Sequence, residues 1–264
     1  MLEQVKKKMK LRNAVAGMLV FAVAAFGQNA AIAAEKCCSG KDSSCAVEIK
    51  KQIVLVGDSL LDYRMVKKIG RGSWGESLRS HLKDGIEIVN TARGGASTRT
   101  FQEKGFWDKA LSAMRSGDHV IISFGHNDCN HRPDRSVTLD GYRKNLAKFA
   151  EQVRAKGAKP VFVTSVATCT FKKDGSYNDY RGLGPYVNAM KQVGAELNVP
   201  VIDLYARTLA EVKSLGKEKA AKYYWMSVDG KDNTHTTKAG AERYCGFFME
   251  EVKSKLPSLA GWLK

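Results

Sequence analysis

Two groups of residues near opposite ends of the chain have types suited to nucleophilic catalysis. Ser59 follows a run of branched apolar residues and a glycine, and His235 lies three residues after Asp232. A serine becomes a nucleophile when a histidine accepts its proton, and a carboxylate holds that histidine in the required tautomer. The spacing therefore predicts a catalytic triad of Ser59, His235 and Asp232. The ordinary alternatives are a strand-ending turn at Ser59 and a helix-capping pair at Asp232 and His235.

Ester hydrolysis also needs hydrogen-bond donors for the negative charge that develops on the carbonyl oxygen, each worth ~3 kcal/mol of barrier. The candidates are the backbone N–H groups of Ser59 and Gly95 and the side-chain amide of Asn127, each placed after a predicted strand. Alone, Gly95 could simply serve a tight turn and Asn127 a local cap. Together they predict an oxyanion hole.

The elements that must position these residues follow from hydrophobic patterning. Short apolar runs alternate with amphipathic helical patterns, which indicates an α/β domain with a mostly parallel sheet and right-handed crossovers. Functional groups of such domains gather at the carboxyl ends of strands. The pattern predicts strands near residues 53–56, 86–89, 120–124, 161–163 and 201–204, and helices over 74–81, 106–114, 139–155, 185–197, 206–214, 218–224 and 238–256, with residues 61–74 as a loop.

The amino-terminal segment differs from the rest of the chain. Residues 1–33 combine a basic start, a short apolar stretch and small residues, the pattern of a secretory signal peptide. An uncleaved anchor is the alternative. We predict a signal peptide at 1–33, a flexible cysteine-containing tail at 34–45 and one catalytic domain at 46–264, exported to the periplasm or the extracellular space.

The net charge bears on the partner. Removing residues 1–33 takes away five basic residues and one acidic residue, which lowers the formal charge from +16 to +12. A field of this sign attracts polyanions. Because the sequence has no recognisable nucleic-acid module, we expect an acidic polysaccharide as partner, with no nucleic acid and no stable membrane association after signal cleavage.

Four ordered blocks carry a family resemblance. The blocks are Gly57-Asp-Ser-Leu60, Asn90-x-Ala-x-x-Gly95-x-Ser97, Gly125-His-Asn-Asp128 and Asp232-x-x-His235. They resemble the GDSL or SGNH hydrolase superfamily, and segments such as Ser73-Trp-Gly-Glu76 and Lys159-Pro-Val-Phe-Val-Thr164 look like its rhamnogalacturonan acetylesterase group, over roughly residues 51–252.

The resemblance implies a three-layer α/β/α sandwich with a five-stranded, flavodoxin-like sheet of order 2-1-3-4-5, and neither a metal nor an organic cofactor. By analogy Ser59 attacks, His235 is the base, Asp232 orients it, and Gly95 rather than Gly94 joins Asn127 in the oxyanion hole. His126 is expected to serve the local scaffold.

The implied function is an exported serine esterase that removes O-acetyl groups from an acidic plant polysaccharide, of the rhamnogalacturonan or pectin type. The alternatives are an esterase acting on acetylated xylan, a lipid or a thioester, and a non-catalytic carbohydrate-binding protein of the same fold.

The cysteines give one further expectation. If strands three and four are neighbours, Cys129 and Cys169 each lie about five residues past a strand end, and we predict a disulfide between them. Cys245 would then pair with a cysteine of the tail. A zinc site at the tail is not expected, because no histidine or carboxylate stands at metal-like spacing.

Overall fold

A five-stranded parallel sheet forms the centre of the computed structural model, which describes residues 51–264. The strands lie in the order β2-β1-β3-β4-β5, as the family resemblance implies, and the predicted α/β/α sandwich is confirmed. The predicted signal peptide (1–33) and tail (34–45) lie outside the described residues. The strands are β1 Lys51–Gly57, β2 Ile86–Asn90, β3 His119–Ser123, β4 Lys159–Val163 and β5 Val201–Ile202.

Both faces of the sheet are covered by apolar side chains. Alternate residues of β1 enter different clusters: Ile53 and Leu55 pack on one side, and Val54 and Val56 on the other. All four are fully buried. A strand buried on both faces has no need of polar residues, which explains the unbroken apolar run in the sequence.

Helices supply the two outer layers. The helices are α1 Tyr63–Ile69, α2 Trp74–Ser77, α3 Thr98–Glu103, α4 Phe106–Ala113, α5 Leu139–Ala155, α6 Leu183–Glu196, α7 Leu204–Ala221, α8 Met226–Asp229, α9 Lys238–Lys255 and α10 Pro257–Ala260, with a 3₁₀ turn at Leu78–His81. Those that contribute to the Ile53 cluster are α2, α7, α9 and α10, and those that contribute to the Val54 cluster are α3, α4, α5 and α6. No helix within residues 51–264 combines the length and apolar character needed to cross a membrane.

The predicted loop at 61–74 is wrong in part, because it contains helix α1. The Asp62 side chain accepts a hydrogen bond from the backbone N–H of Arg64, and Gly70 ends the helix in a left-handed conformation at φ 77°. The sequence also missed α3, which begins with a capping box between Ser97 and Thr100. The two helices predicted between 206 and 224 correspond to the two segments of α7, which is divided at Gly216, where the backbone is not helical (φ 69°, ψ 173°).

The turn after β1 requires glycine at position 57. A Cβ atom there would lie 2.4 Å from the carbonyl oxygen of Ser123 and 2.7 Å from the Leu61 side chain. Contacts this short do not occur, so glycine allows the chain to turn against β3 and present Ser59 at the carboxyl end of the sheet.

The predicted disulfide between Cys129 and Cys169 is wrong, because both are free, buried thiols. Cys129 packs with Leu183 of α6, whereas Cys169 belongs to the apolar cluster on the opposite side of the sheet. Neighbouring strand ends therefore direct the two cysteines to different layers. Cys245 is also a free thiol buried on α9, and its predicted partners in the tail lie outside the described residues.

Candidate active site

The three side chains predicted to form a triad are in contact. Ser59 Oγ lies 2.9 Å from His235 Nε2, and His235 Nδ1 lies 2.7 Å from Asp232 Oδ2. The His235 and Asp232 side chains are 25% and 15% exposed, so the histidine is sheltered and still open to a substrate. This arrangement can move a proton from the serine hydroxyl to the imidazole while the carboxylate holds the ring.

The loop that carries the histidine is held by backbone hydrogen bonds. Asp232 Oδ1 accepts from the backbone N–H of Thr234 at 3.2 Å and of His235 at 3.0 Å. The carbonyl oxygen of His235 accepts from the N–H of Trp225 at 2.7 Å. Burial alone would raise the pKa of the Asp232 carboxyl, but hydrogen bonds from the His235 side chain and backbone hold that pKa well below its usual range. Asp232 is therefore ionised.

The loop after β2 places Gly94, the chain neighbour of Gly95, close to the serine. Asp62 Oδ2 accepts a hydrogen bond of 2.8 Å from the N–H of Gly94, and a Cβ atom on Gly94 would lie 3.8 Å from that of Ser59. Gly95 adopts φ 77°, which favours glycine. Within residues 51–264, the N–H groups of Ser59 and Gly95 donate to no acceptor, which leaves both available to an oxyanion.

The third predicted donor, Asn127, is buried beside the same loop. Its Nδ2 donates to the carbonyl oxygen of Ala96 at 3.0 Å, and its Oδ1 lies 3.5 Å from Arg135 Nη1. One amide hydrogen is thus used, and the other remains for a substrate. His126, the neighbour of Asn127, is buried with its Nε2 2.9 Å from the carbonyl oxygen of Val166. It makes a scaffold contact rather than one with Ser59.

Arg135 is a site residue that the sequence analysis missed. Its Nη1 would lie 3.3 Å from a Cβ atom on Gly95, so the guanidinium touches two of the three predicted oxyanion-hole residues. Its side chain is 22% exposed and pairs with Asp134 at 3.0 Å. The only sequence signal is a basic residue eight positions after Asn127, and loop geometry rather than periodic spacing brings the two together.

Two buried carboxyls lie beneath the site. Asp58 Oδ1 accepts from the N–H of Leu60, and Asp128 Oδ1 accepts from the N–H and hydroxyl of Thr98. The Oδ2 atoms of both have no partner in the described part of the chain. Burial raises the pKa of each carboxyl to about 7.

No three His, Cys, Asp or Glu side chains in residues 51–264 are arranged to hold a metal ion.

These carboxyls predict a pH dependence of stability. Each native carboxyl keeps its proton to about pH 7, whereas in the unfolded chain it ionises near 3.8. Between these values the native state binds more protons, so the free energy of unfolding from these groups falls as pH rises, by up to ~1.4 kcal/mol per unit for each group. In Asp128→Asn the amide oxygen still accepts from Thr98, but the side chain no longer titrates. We therefore expect the free energy of unfolding from these groups to fall about half as steeply with pH.

Urea unfolding at steps between about pH 4 and 8, for wild type and Asp128→Asn, measures this effect. His126 acts with the opposite sign: burial lowers its pKa to about 3, so its contribution is lost as pH falls below about 6.5. The comparison between wild type and variant removes that contribution because His126 is present in both. Parallel stability curves for the two proteins would contradict the prediction.

Comparisons with known sequences find a family that matches most of the chain and two similar bacterial proteins. A sequence model of the GDSL-like lipase/acylhydrolase family matches residues 55–243. The Bacillus subtilis (strain 168) protein named probable rhamnogalacturonan acetylesterase YesY is 34% identical over 203 residues, which is 76% of this chain and 92% of that protein. Rhamnogalacturonan acetylesterase RhgT of the same bacterium is 35% identical over 211 residues, covering 76% and 89%.

Solved structures support the fold. Protein YxiM of Bacillus subtilis superposes with a TM-score of 0.67 at 24% identity, covering 78% of this chain and 56% of that chain. A catalytic mutant of Axe2, an acetylxylan esterase from Geobacillus stearothermophilus, superposes with a TM-score of 0.60 at 19% identity, covering 76% and 94%.

Proposed function

Because this chain belongs to the GDSL-like lipase/acylhydrolase family, as its sequence blocks predicted, we propose that it is a serine esterase that removes O-acetyl groups from polysaccharides. The observation that carries the proposal is the hydrogen-bonded chain from Asp232 through His235 to Ser59. It ends at Ser59, close to Gly94 of the loop that also carries Gly95. The unused N–H groups of Gly95 and Asn127 suit the oxyanion of an ester reaction.

The chemistry proceeds in two steps. Ser59 Oγ bonds to the acetyl carbonyl carbon while its proton passes to His235 Nε2, and the N–H groups of Ser59, Gly95 and Asn127 stabilise the oxyanion. The bond to the sugar oxygen then breaks, and His235 returns the proton to that oxygen. In the second step His235 takes a proton from water, the resulting nucleophile attacks the acetyl-serine, and acetate leaves as Ser59 regains its proton.

We propose further that the polysaccharide is acidic, of the rhamnogalacturonan or pectin type. The names of the relatives YesY and RhgT support a rhamnogalacturonan, and cationic loops at the site support an acidic chain. Arg93, Arg135 and Arg181 follow strands β2, β3 and β4, respectively. Burial lowers the pKa of His126, and the positive charge of Arg181 lowers that pKa further. Within residues 51–264, Arg93 and Arg181 have no carboxylate partner, and their guanidinium groups lie over the rings of Phe106 and Tyr180. Both can therefore pair with a galacturonate carboxylate.

The proposal also places the enzyme outside the cytoplasm, because residues 1–33 have the composition of a secretory signal peptide. Export would bring the basic catalytic domain to plant cell-wall polymers, which do not enter cells. The intact mass of the secreted protein reports whether these residues are removed, and recovery of the full-length chain inside the cell would argue against export.

Acetate release from two polymers tests the substrate. Wild type is assayed on acetylated rhamnogalacturonan and on acetylated xylan at equal acetyl concentration, with Ser59→Ala as the inactive control. We expect faster release from the acidic polymer, and a smaller preference at high salt because added ions screen the charges. Equal or faster release from xylan would remove the acidic substrate from the proposal. Absence of release from both polymers and from p-nitrophenyl acetate would contradict an esterase.

A further inference from the structure

Arg71, which the sequence analysis also missed, forms an ion pair with the carboxylate of the proposed triad. Its Nη2 donates to Asp232 Oδ2, the same oxygen that accepts from His235 Nδ1. The side chains of Arg71 and Asp232 are 18% and 15% exposed, so the ion pair is largely removed from water. The guanidinium also lies 5.7 Å from the ring centroid of Trp225, whose backbone holds the histidine loop.

Backbone packing delivers Arg71 to this position. The N–H of Gly72 donates to the carbonyl oxygen of Thr236 at 2.8 Å. A Cβ atom on Gly72 would lie 2.1 Å from the carbonyl oxygen of Thr237, so only glycine permits the approach. The segment that carries Arg71 is thus packed directly on the loop that carries His235. This backbone packing fixes the position of Arg71 beside Asp232.

A cation at this oxygen has two physical effects on the triad. Its hydrogen bond fixes the carboxylate that orients the imidazole, which favours transfer of the serine proton. Its positive charge also partly neutralises the carboxylate, which then gives less support to a protonated imidazole.

We propose that Arg71 is a positioning residue that orients Asp232 and, through it, the imidazole of His235. The inference rests on the proposed triad. It concerns the reaction step rather than the polymer, so it is tested with the small neutral ester p-nitrophenyl acetate.

The pH profile of kcat/KM separates this role from a merely structural ion pair. For Arg71→Met we expect the acidic limb of the profile to move up by about one pH unit and the plateau value to fall about tenfold. Arg71→Lys keeps the charge and is expected to give a smaller shift. The matched control is Arg143→Met, which removes a surface ion pair with Glu196 between α5 and α6 and should leave the profile unchanged.

A double-mutant cycle tests whether Arg71 acts through Asp232. In the Asp232→Asn background Arg71 has no carboxylate to orient, so adding Arg71→Met should lower the plateau value of kcat/KM much less than it does in the wild type. Millimolar guanidinium should partly restore the wild-type profile to Arg71→Met, because it can occupy the vacated position. If Arg71→Met does not fold, Arg71→Lys carries the test with the smaller shift.

An unchanged acidic limb in Arg71→Met, or in Arg71→Lys if the first variant does not fold, overturns this inference. An equal fractional loss of plateau kcat/KM with and without the Asp232 carboxylate also overturns it. Failure of the proposed function would look different, because Ser59→Ala would then keep activity, whatever the Arg71 variants do.

Discussion

Replacement of Ser59 by alanine is expected to lower kcat for ester hydrolysis by about 10⁵- to 10⁶-fold. Ser59 Oγ is the atom in hydrogen-bond contact with His235 Nε2, so alanine removes the atom that would form the acetyl-enzyme. The serine hydroxyl contributes this one hydrogen bond at the surface of the site, and the stability of the fold should change little. Acetate release and release of p-nitrophenol from p-nitrophenyl acetate measure the loss.

The combined loss of activity in the Ser59 and His235 double variant gives a second, independent test of the prediction. Because Ser59 and His235 act as a unit, His235→Ala should cost about as much as Ser59→Ala, and the double variant should be little worse than either one. Ser80→Ala is the matched control, since the Ser80 hydroxyl is exposed and bonds only to the carbonyl oxygen of Ser77. A Ser59→Ala protein with more than about one hundredth of wild-type activity, or losses that multiply in the double variant, would show that another group is the nucleophile.

The part of this architecture that sequence can predict is the part coded by local pattern. The apolar run of β1 reads as a strand because both of its faces are buried, and helix α5, Leu139–Ala155, has the predicted bounds because its buried face recurs at helical spacing. Polar residues after β1, β2 and β3 converge because parallel strands end at one edge of the sheet. The predicted triad contacts require only that these strands end at one edge of the sheet and that the loop carrying His235, just before helix α9, reaches that edge.

What the sequence did not reveal depends on contacts between distant segments. Helix α1 was hidden because its basic residues give little apolar periodicity, and it is fixed instead by the Asp62 cap. Arg71 reaches Asp232 across 161 positions of the chain, and no local spacing encodes that pair. The Cys129–Cys169 prediction failed for the same reason: strand order brings the two loops to one edge, but it does not say to which side of the sheet each side chain turns.

Asn127→Ala is expected to lower kcat by about 10²- to 10³-fold with little change in KM. The amide donates to the carbonyl oxygen of Ala96 through one hydrogen, which leaves the second for an oxygen that becomes charged only in the transition state. An interaction of that kind stabilises the transition state more than the bound ester, so the loss should appear in kcat. Steady-state kinetics on p-nitrophenyl acetate separate the two constants.

Asn130→Ala is the matched control, since Asn130 lies in the same loop and its side chain caps the N–H of Arg132 at 3.0 Å. A loss carried by KM alone, or an equal loss in Asn130→Ala, would contradict an oxyanion role. The geometry favours that role because Arg135 Nη1 lies 3.5 Å from the Asn127 amide oxygen. A cation beside the oxygen opposes rotation of the amide by half a turn, so the NH₂ group stays directed toward the Ala96 carbonyl oxygen and the proposed substrate. The guanidinium thus sets which end of the amide meets the ester.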